Sequence, residues 1–165
     1  MRIRFLLLVV ISLLTVGCGL FDFLNGPSDQ DAFSWTVDGQ SIDASDNGKS
    51  AQRAAGGVTV TGAKCDSGAK LALSLFTNLA AGSYPVGSEF TATWTPDART
   101  GASANTWWEA NATRGSGSLT ITSNTSDRIV GSFSFVLGPG AGSTATGPRS
   151  VQGEFDLAFN TGAIC

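Results

Sequence analysis

Residues 117–137 read GSLTIT, SNTSD and RIVGSFSFVL in succession. In the first and third segments apolar and polar side chains alternate, so that the two sets lie on opposite faces of a strand. The polar segment SNTSD between them has the composition of a turn. Two alternating segments joined by a short polar turn predict a β-hairpin.

The same alternation recurs along most of the chain and predicts an all-β domain. Asp38-Gly39 is a two-residue hairpin signal, and further alternating segments surround Val60, Leu73 and Phe155. About eight to ten short strands separated by turn residues are typical of an antiparallel β-sandwich, and we expect a meander of this type. A closed up-and-down β-barrel is the alternative, because both architectures bury one face of each strand.

Residues 138–148 interrupt the strand pattern with the sequence GPGAGSTATGP. This low-complexity segment has no large apolar residue that could anchor it, so we expect a mobile loop. Residues 18–165 show no helical period, which supports the all-β interpretation.

The N-terminus predicts export. Residues 1–4 are short and basic, and residues 5–16 are almost wholly apolar. About a dozen apolar residues fit the core of a signal peptide, and they are fewer than the roughly 20 that span a bilayer. We therefore expect residues 1–17 to be a signal peptide that is cleaved.

The signal peptide ends at Thr15-Val16-Gly17-Cys18, which resembles the lipobox of bacterial lipoproteins. In that family the cysteine thiol receives a diacylglyceryl group and becomes the first residue of the mature chain. Thr15 departs from the pattern, which usually has leucine at this position. The alternative is an ordinary signal peptide with a chance cysteine, but a thiol at the cleavage site would then be unexplained.

Residues 18–31 predict a polar, turn-rich tether, followed by a single all-β domain at residues 32–165. In some bacteria an aspartate after the lipid-bearing cysteine marks retention in the inner membrane, and this chain has Gly19 there. The resemblance to lipoproteins therefore implies the outer membrane of a bacterial cell envelope, reached through acyl chains such as palmitate on Cys18.

The charge of the mature chain excludes some partners. Removal of Arg2 and Arg4 leaves 8 of the 10 basic residues against 13 acidic ones, a net charge of −5. Such a chain does not predict nucleic-acid binding, which requires clustered basic residues. It also disfavours electrostatic docking on anionic lipid, so the acyl chains would supply the membrane attachment. An envelope protein or a glycan is then the partner to consider.

Cys65 and Cys165 form an even pair once Cys18 carries lipid. Exported compartments are oxidising, so we expect a disulfide between them. It would close a loop of about 100 residues, worth up to about 4.7 kcal/mol in the chain-entropy model. The alternative is two unpaired thiols, one of them at a chain end.

The order of several motifs resembles an uncharacterised family of small β-rich bacterial lipoproteins. The motifs are Phe33-x-Trp-x-Val-Asp-Gly-x-x-Ile, Gly82-Ser-Tyr-Pro-Val, Gly117-Ser-Leu-Thr-Ile-Thr, Val130-Gly-Ser-Phe-Ser-Phe and Gly153-Glu-Phe. Ile42 departs from the pattern, which has an aromatic residue there. The resemblance supports the fold and the location, and it implies no activity, cofactor or site residue.

The composition narrows the possible chemistry. The sequence contains no histidine, which excludes Ser-His-Asp and Cys-His catalysis and any imidazole-based metal site. Dinucleotide and Walker motifs are also absent, so we expect no cofactor. Asp43 and Asp46 suggest a calcium loop but lack its spacing and closing glutamate, and we interpret them as parts of a turn.

Paired carboxylates are the remaining catalytic option, since glycosidases use two of them about 5–9.5 Å apart. Glu154 and Asp156 alternate on the outward face of one strand, which is typical of a solvated strand that resists aggregation. The full set of candidates is Asp43, Asp46, Glu89, Asp97, Glu109, Asp127, Glu154 and Asp156.

Trp107-Trp108 is the most informative aromatic pair. Adjacent strand residues point to opposite faces, so we place Trp108 in the core and Trp107 outside, beside Glu109 and Asn111. A tryptophan beside a carboxylate and an amide could bind a sugar or a peptide, and these three residues are our candidate ligand site. The interpretation that we favour is that Trp107 packs on a loop, such as residues 96–105, or on a cross-strand neighbour.

Together these features predict a lipid-anchored cell-envelope module with a binding or structural role and no catalysis. The first alternative is a lipocalin-like carrier of an apolar ligand, with a cavity lined by Leu71, Leu73, Phe133 and Phe155. The second is a histidine-free carboxylate hydrolase acting on glycans, which requires two carboxyl groups that converge in one cleft.

Overall fold

The computed structural model describes residues 31–98, 105–159 and 164–165. In these residues the chain forms eleven β-strands and a 3₁₀ turn at Asp46–Gly48. The strands are β1 (Ala32–Val37), β2 (Gln40–Asp43), β3 (Lys49–Ala54), β4 (Gly57–Lys64), β5 (Ala69–Leu75), β6 (Gly82–Pro85), β7 (Phe90–Thr95), β8 (Trp108–Ala110), β9 (Ser116–Asn124), β10 (Arg128–Pro139) and β11 (Arg149–Ala158). The predicted all-β class is confirmed. There are more strands than the sequence indicated, because β3 and β6 pair without an apolar alternation of their own.

The strands form one continuous antiparallel sheet that curls into a half-barrel. Its main order is β2-β1-β11-β10-β8-β7-β5-β4-β3, while β9 also pairs with β10 and β6 pairs with β9. The predicted antiparallel meander is therefore correct as a class. The sheet is continuous rather than split into two separate layers, because β10 belongs to both of its halves.

The hairpin predicted from residues 117–137 is present as β9 and β10, with Leu119 paired to Phe133. β10 has 12 residues. It pairs with β11 along one side, and along the other side with β9 and then with β8. The sheet divides at the turn between Asn111 and Arg114, because β9 continues to β6 whereas β8 continues to β7.

The core depends on phenylalanine rings that face glycines. Phe133 pairs with Gly153, and Phe155 pairs with Gly131 on the same two strands. A Cβ on either glycine would lie 2.7 Å from the ring of its facing phenylalanine, so only glycine leaves room for the ring. The Phe33 ring lies 6.0 Å from each of these rings and joins them into one aromatic cluster.

One end of the half-barrel holds the start of the domain, and we call it the N-terminal end. Along β3, the Nζ of Lys49 donates to the backbone oxygen of Asp31 at 2.8 Å. β3 then forms an isolated bridge to Phe159, and the Nη2 of Arg53 donates to the Oδ1 of Asn124 at 2.8 Å. β3 thus lies along the end where β1 begins, β11 ends and the β9–β10 turn is located.

The opposite ends of β1, β10 and β11 form the loop end, which holds the β1–β2 turn, Trp107 and residues 138–148. Asp38 and Gly39 have φ angles of 50° and 82°, as the predicted hairpin turn requires. The amide of Asp38 donates to the backbone oxygen of Ser150 at 2.8 Å, which joins this turn to the start of β11.

Candidate functional site

Trp107 lies directly before β8 and packs on the loop of residues 138–148. Its side chain is half-buried, and a Cβ on Gly140 would overlap the indole ring. The amide of Trp107 donates to the Oγ of Ser143 at 2.9 Å, and its carbonyl accepts from the amide of Gly140 at 3.0 Å. The favoured interpretation, packing on a loop, agrees with these contacts, and the loop is that of residues 138–148; residues 99–104 of the other candidate loop lie outside the described residues.

This loop is attached to the strands by hydrogen bonds. The amide of Thr144 donates to the backbone oxygen of Asn105 at 2.8 Å, and its hydroxyl lies 2.7 Å from that of Thr106. The Nε1 of Trp108 donates to the backbone oxygen of Gly147 at 2.8 Å. The sequence predicted a loop without large apolar anchors. These hydrogen bonds are polar attachments, and Ala145 in addition packs against the hydrophobic core.

Glu109 connects the loop to the turn at which the sheet divides. Its Oε1 accepts from the Nη1 of Arg114 at 3.0 Å and from the amide of Ala141 at 3.3 Å. The glutamate side chain is 19% exposed, against 42% for the arginine. The carboxylate therefore has partners on two sides and holds two loops together.

Asn111 forms the turn itself. Its Oδ1 accepts from the amide and the hydroxyl of Thr113, both at 2.9 Å, and from the amide of Arg114 at 3.0 Å. Side-chain bonds of this type are the reason that asparagine is favoured in turns. The structure thus brings Trp107 and Glu109 together at the loop end and places Asn111 at the adjoining turn. Ligand binding by these three residues stays a prediction, and the surface available for it is the exposed part of the indole.

Asp38, Arg149 and Ser150 form a second cluster at the loop end, and no pattern in the sequence predicted that they meet. Asp38 accepts hydrogen bonds from the amide of Ser150 at 2.9 Å and from the Nη1 of Arg149 at 2.8 Å. The Ser150 amide, and then Arg149, hold the pKa of Asp38 below its usual range. The guanidinium of Arg149 lies 5.1 Å from the centre of the Trp108 ring, which lies 4.8 Å from that of Trp94.

The outer face of β1, β10 and β11 carries small polar side chains. Two cavities of about 390 Å³ each lie on this face and share Thr36, Ser134 and Gln152 in their linings. In the part of the chain that the structure describes, neither cavity is lined by a lysine or an arginine. The charged residues in these two linings are the carboxylates Asp43 and Glu154.

Two of the candidate carboxylates share this outer face. Asp43 and Glu154 lie in register on either side of Ser34, which separates them by two strand spacings, or roughly 9.6 Å. This is at the upper limit for a glycosidase pair. Both side chains are exposed on an open face, whereas the general acid of such a pair needs a partly buried setting that keeps it protonated.

Several other carboxylates form ion pairs. Asp46 lies in the 3₁₀ turn, with its Oδ1 3.1 Å from the Nζ of Lys49, which agrees with its interpretation as a turn residue. Asp43 is instead the last residue of β2, because it pairs with Ser34 of β1. Asp156 pairs with Arg128 across β10 and β11. Among the described residues, no group of three or more His, Cys, Asp or Glu side chains could hold a metal ion.

The residues that the carrier alternative required as cavity lining belong to the core. Leu71 and Leu73 are 0% exposed, Phe133 is 5% exposed and Phe155 is 2% exposed. All four are members of one hydrophobic cluster. Their side chains fill the interior, and of the four only Phe133 is also among the residues that line one of the two outer-face cavities.

The predicted disulfide is present between Cys65 and Cys165, whose Cα atoms are 5.4 Å apart across a sequence separation of 100 residues. The amide of Cys165 also donates to the backbone oxygen of Asn47 at 3.3 Å, which places the C-terminus beside the 3₁₀ turn. The proposed lipidation residue Cys18 lies outside the described residues. In the described ranges no helix is long and apolar enough to span a bilayer.

Comparison with known proteins gives a family without a known activity. Residues 29–164 match a family model described as a domain of unknown function, DUF6252. No curated protein and no solved structure matches the chain. The match agrees with the resemblance to an uncharacterised β-rich family. Because it covers most of the sequence and every described strand, the chain belongs to the DUF6252 family.

Proposed function

We propose that the protein is a lipid-anchored lipoprotein of the bacterial cell envelope and serves there as a binding or structural accessory module. The observation that carries the proposal is the order of three segments along the chain. A lipobox-like Thr15-Val16-Gly17-Cys18 is followed by a short tether and then by a folded domain whose first strand begins at Ala32. Gly19 after the lipid-bearing cysteine favours the outer membrane.

The attachment of Asp31 supports this arrangement. Its Oδ1 accepts from the amide of Ala158 at 2.8 Å and lies 3.5 Å from the Nη1 of Arg128. Its backbone oxygen accepts from Lys49. Because Asp31 is bonded to the domain at its N-terminal end, a tether from Cys18 would join the domain at that end.

The disulfide favours an exported location. Cys65–Cys165 bridges of this kind persist in oxidising compartments and are rare in the cytosol.

An accessory role is preferred to the carrier and hydrolase alternatives. A carrier needs an interior cavity, and the side chains available to line one are packed together in the core. A carboxylate hydrolase needs two carboxyl groups in one shielded cleft, and Asp43 and Glu154 lie on an open face. The partner would then meet the outer face or the loop end, and an envelope protein or a glycan is the class of partner proposed.

Metabolic labelling with an alkyne analogue of palmitate tests the anchor. We expect the full chain to be labelled in a bacterium with an outer membrane, and Cys18→Ala to lose the label because the acceptor thiol is absent. The matched control replaces both Cys65 and Cys165 with alanine and keeps its label. An unlabelled full chain, or equal labelling of Cys18→Ala, would contradict the proposal.

A further inference from the structure

Two large apolar side chains are well exposed among the described residues. Phe76 is 48% exposed and Val136 is 42% exposed. Phe76 directly follows β5, and Val136 lies on β10 three positions before the strand ends. Single exposed apolar residues are common on protein surfaces, so position decides whether either of them has a role.

Phe76 belongs to the N-terminal end. The segment that follows it is held there, because the Nδ2 of Asn124 donates to the Oδ1 of Asn78 at 3.0 Å and to the backbone oxygen of Leu79 at 2.7 Å. The β3–β4 turn is adjacent, since a Cβ on Gly57 would lie 3.0 Å from the backbone carbon of Phe76. Residues 54–56 in that turn are exposed Ala, Ala and Gly, so the neighbours of Phe76 on this side are small and uncharged. On its other side the amide of Phe76 donates to the backbone oxygen of Glu89 at 3.0 Å.

The basic side chains at this end are already engaged within the protein. Arg128 pairs with Asp156 and Asp31. Arg53 donates to Asn124 and lies 4.1 Å from the centre of the Phe159 ring. The two carboxylates neutralise Arg128, so of these two residues Arg53 alone keeps an uncompensated charge. One arginine gives only a weak attraction for anionic headgroups, and contact with a membrane here would be mainly apolar.

The length of the tether and its point of attachment favour the N-terminal end of the domain, rather than the loop end, for contact with a membrane. Thirteen residues lie between Cys18 and β1, from Gly19 to Asp31, and a flexible chain of that length has an average end-to-end distance of roughly 20 Å. The 12 residues of β10 separate the two ends by roughly 35 Å. A domain tethered at Asp31 therefore keeps its N-terminal end near the bilayer. At such short range a weak apolar contact suffices, because the effective concentration is high.

We propose that the N-terminal end of the domain lies against the phospholipid bilayer, with Phe76 and the β3–β4 turn in the headgroup region. This rests on the proposed lipid anchor. The opposite loop end, with Trp107 and residues 138–148, then faces away from the membrane. The part of the outer face that adjoins the loop end does so as well. A soluble partner would meet these surfaces rather than the N-terminal end.

The test places a fluorophore at each exposed apolar residue in the full acylated chain. Phe76→Cys, Ala55→Cys and, as the matched control, Val136→Cys are labelled in vesicles of phosphatidylethanolamine and phosphatidylglycerol. Some of the lipids carry a quencher near the headgroup. Because an interfacial side chain lies within the quencher's range, we expect the labels at positions 76 and 55 to be quenched at least about threefold more than the label at 136. The difference should persist in about 1 M salt, where the Debye length is only about 3 Å and electrostatic attraction is screened.

Two results would overturn the orientation: equal quenching at all three positions, or quenching only at position 136. Loss of the difference in high salt would replace the apolar contact with an electrostatic one and would also contradict the proposal. Intact mass of each labelled sample verifies the acyl chains, one label and the Cys65–Cys165 bridge. An acylated protein without quenching at position 76 refutes the orientation alone, whereas a protein without acyl chains refutes the anchor itself.

Discussion

The two ends of the half-barrel are held together by different kinds of contact. At the N-terminal end, ion pairs and a strand bridge join the start of β1, the end of β11 and β3. At the loop end, hydrogen bonds to the main chain and a stack of two tryptophans with Arg149 hold a loop of small residues. The N-terminal end thus secures the chain near its proposed anchor, whereas the loop end shapes a surface.

The largest effect is expected at the loop end from Trp108→Ala. Trp108 is 5% exposed, stacks on Trp94 and donates to Gly147, so its removal should lower the free energy of unfolding by about 3–5 kcal/mol. Urea denaturation measures this loss. Trp107→Ala is the control and should lose less than half as much, because that ring is only half-buried. Equal losses would show that the contact between Trp108 and Trp94 does not stabilise the loop end more than Trp107 does.

Replacement of both Cys65 and Cys165 with serine should lower the free energy of unfolding by about 2–4 kcal/mol, because the unfolded chain regains the freedom of a closed loop. Hydrogen exchange distinguishes the two ends. Amides near the 3₁₀ turn should exchange faster in the double variant, while those of the loop at 138–148 should keep their rates. Faster exchange in the loop would contradict the independence of the two ends.

Ser143→Ala should have a smaller effect, about 0.5–1.5 kcal/mol, because it removes the hydrogen bond to the Trp107 amide. We expect the exchange rate of that amide to rise while β3 is unaffected. Thr146→Ala is the control in the same loop, since it removes a comparable hydroxyl that is exposed. The account of the loop would be wrong if both variants raised the rate equally.

The smallest effect is expected in the pH dependence of stability, through Asp38. The pKa of Asp38 is lowered in the folded protein by the Ser150 amide and by Arg149. Its stabilising contribution is therefore present above the unfolded pKa, near 3.9, and is lost as the pH falls through the lower folded value. The urea midpoint of the wild type should fall more between pH 5 and pH 2.5 than that of Asp38→Asn. Parallel curves would show that the contact contributes nothing.

The sequence predicted the features that depend on local periodicity. Alternation in residues 117–137 predicted the β9–β10 hairpin, and Asp38-Gly39 predicted the β1–β2 turn. Both predictions depend only on residues that are neighbours in the sequence. β3 was not predicted. It carries little alternation, and its pairing is decided by β4 and by Phe159, which is distant in the chain.

The candidate site was predicted only in part, for the same physical reason. The Cys65–Cys165 bridge followed from compartment and cysteine number, which need no geometry. The faces of Trp107 and Trp108 followed from strand alternation. The partners of Trp107, by contrast, are backbone and hydroxyl groups of a loop more than 30 positions later. No local pattern encodes such a contact.

Intact mass spectrometry of protein purified from membranes, with and without reductant, tests the central claim most directly. The account predicts a chain of residues 18–165 plus acyl chains, whose mass rises by two hydrogens when the Cys65–Cys165 bridge is reduced. An unacylated mass would contradict the lipid anchor and, with it, the orientation of the two ends. A mass unchanged by reductant would contradict the Cys65–Cys165 disulfide beside the 3₁₀ turn.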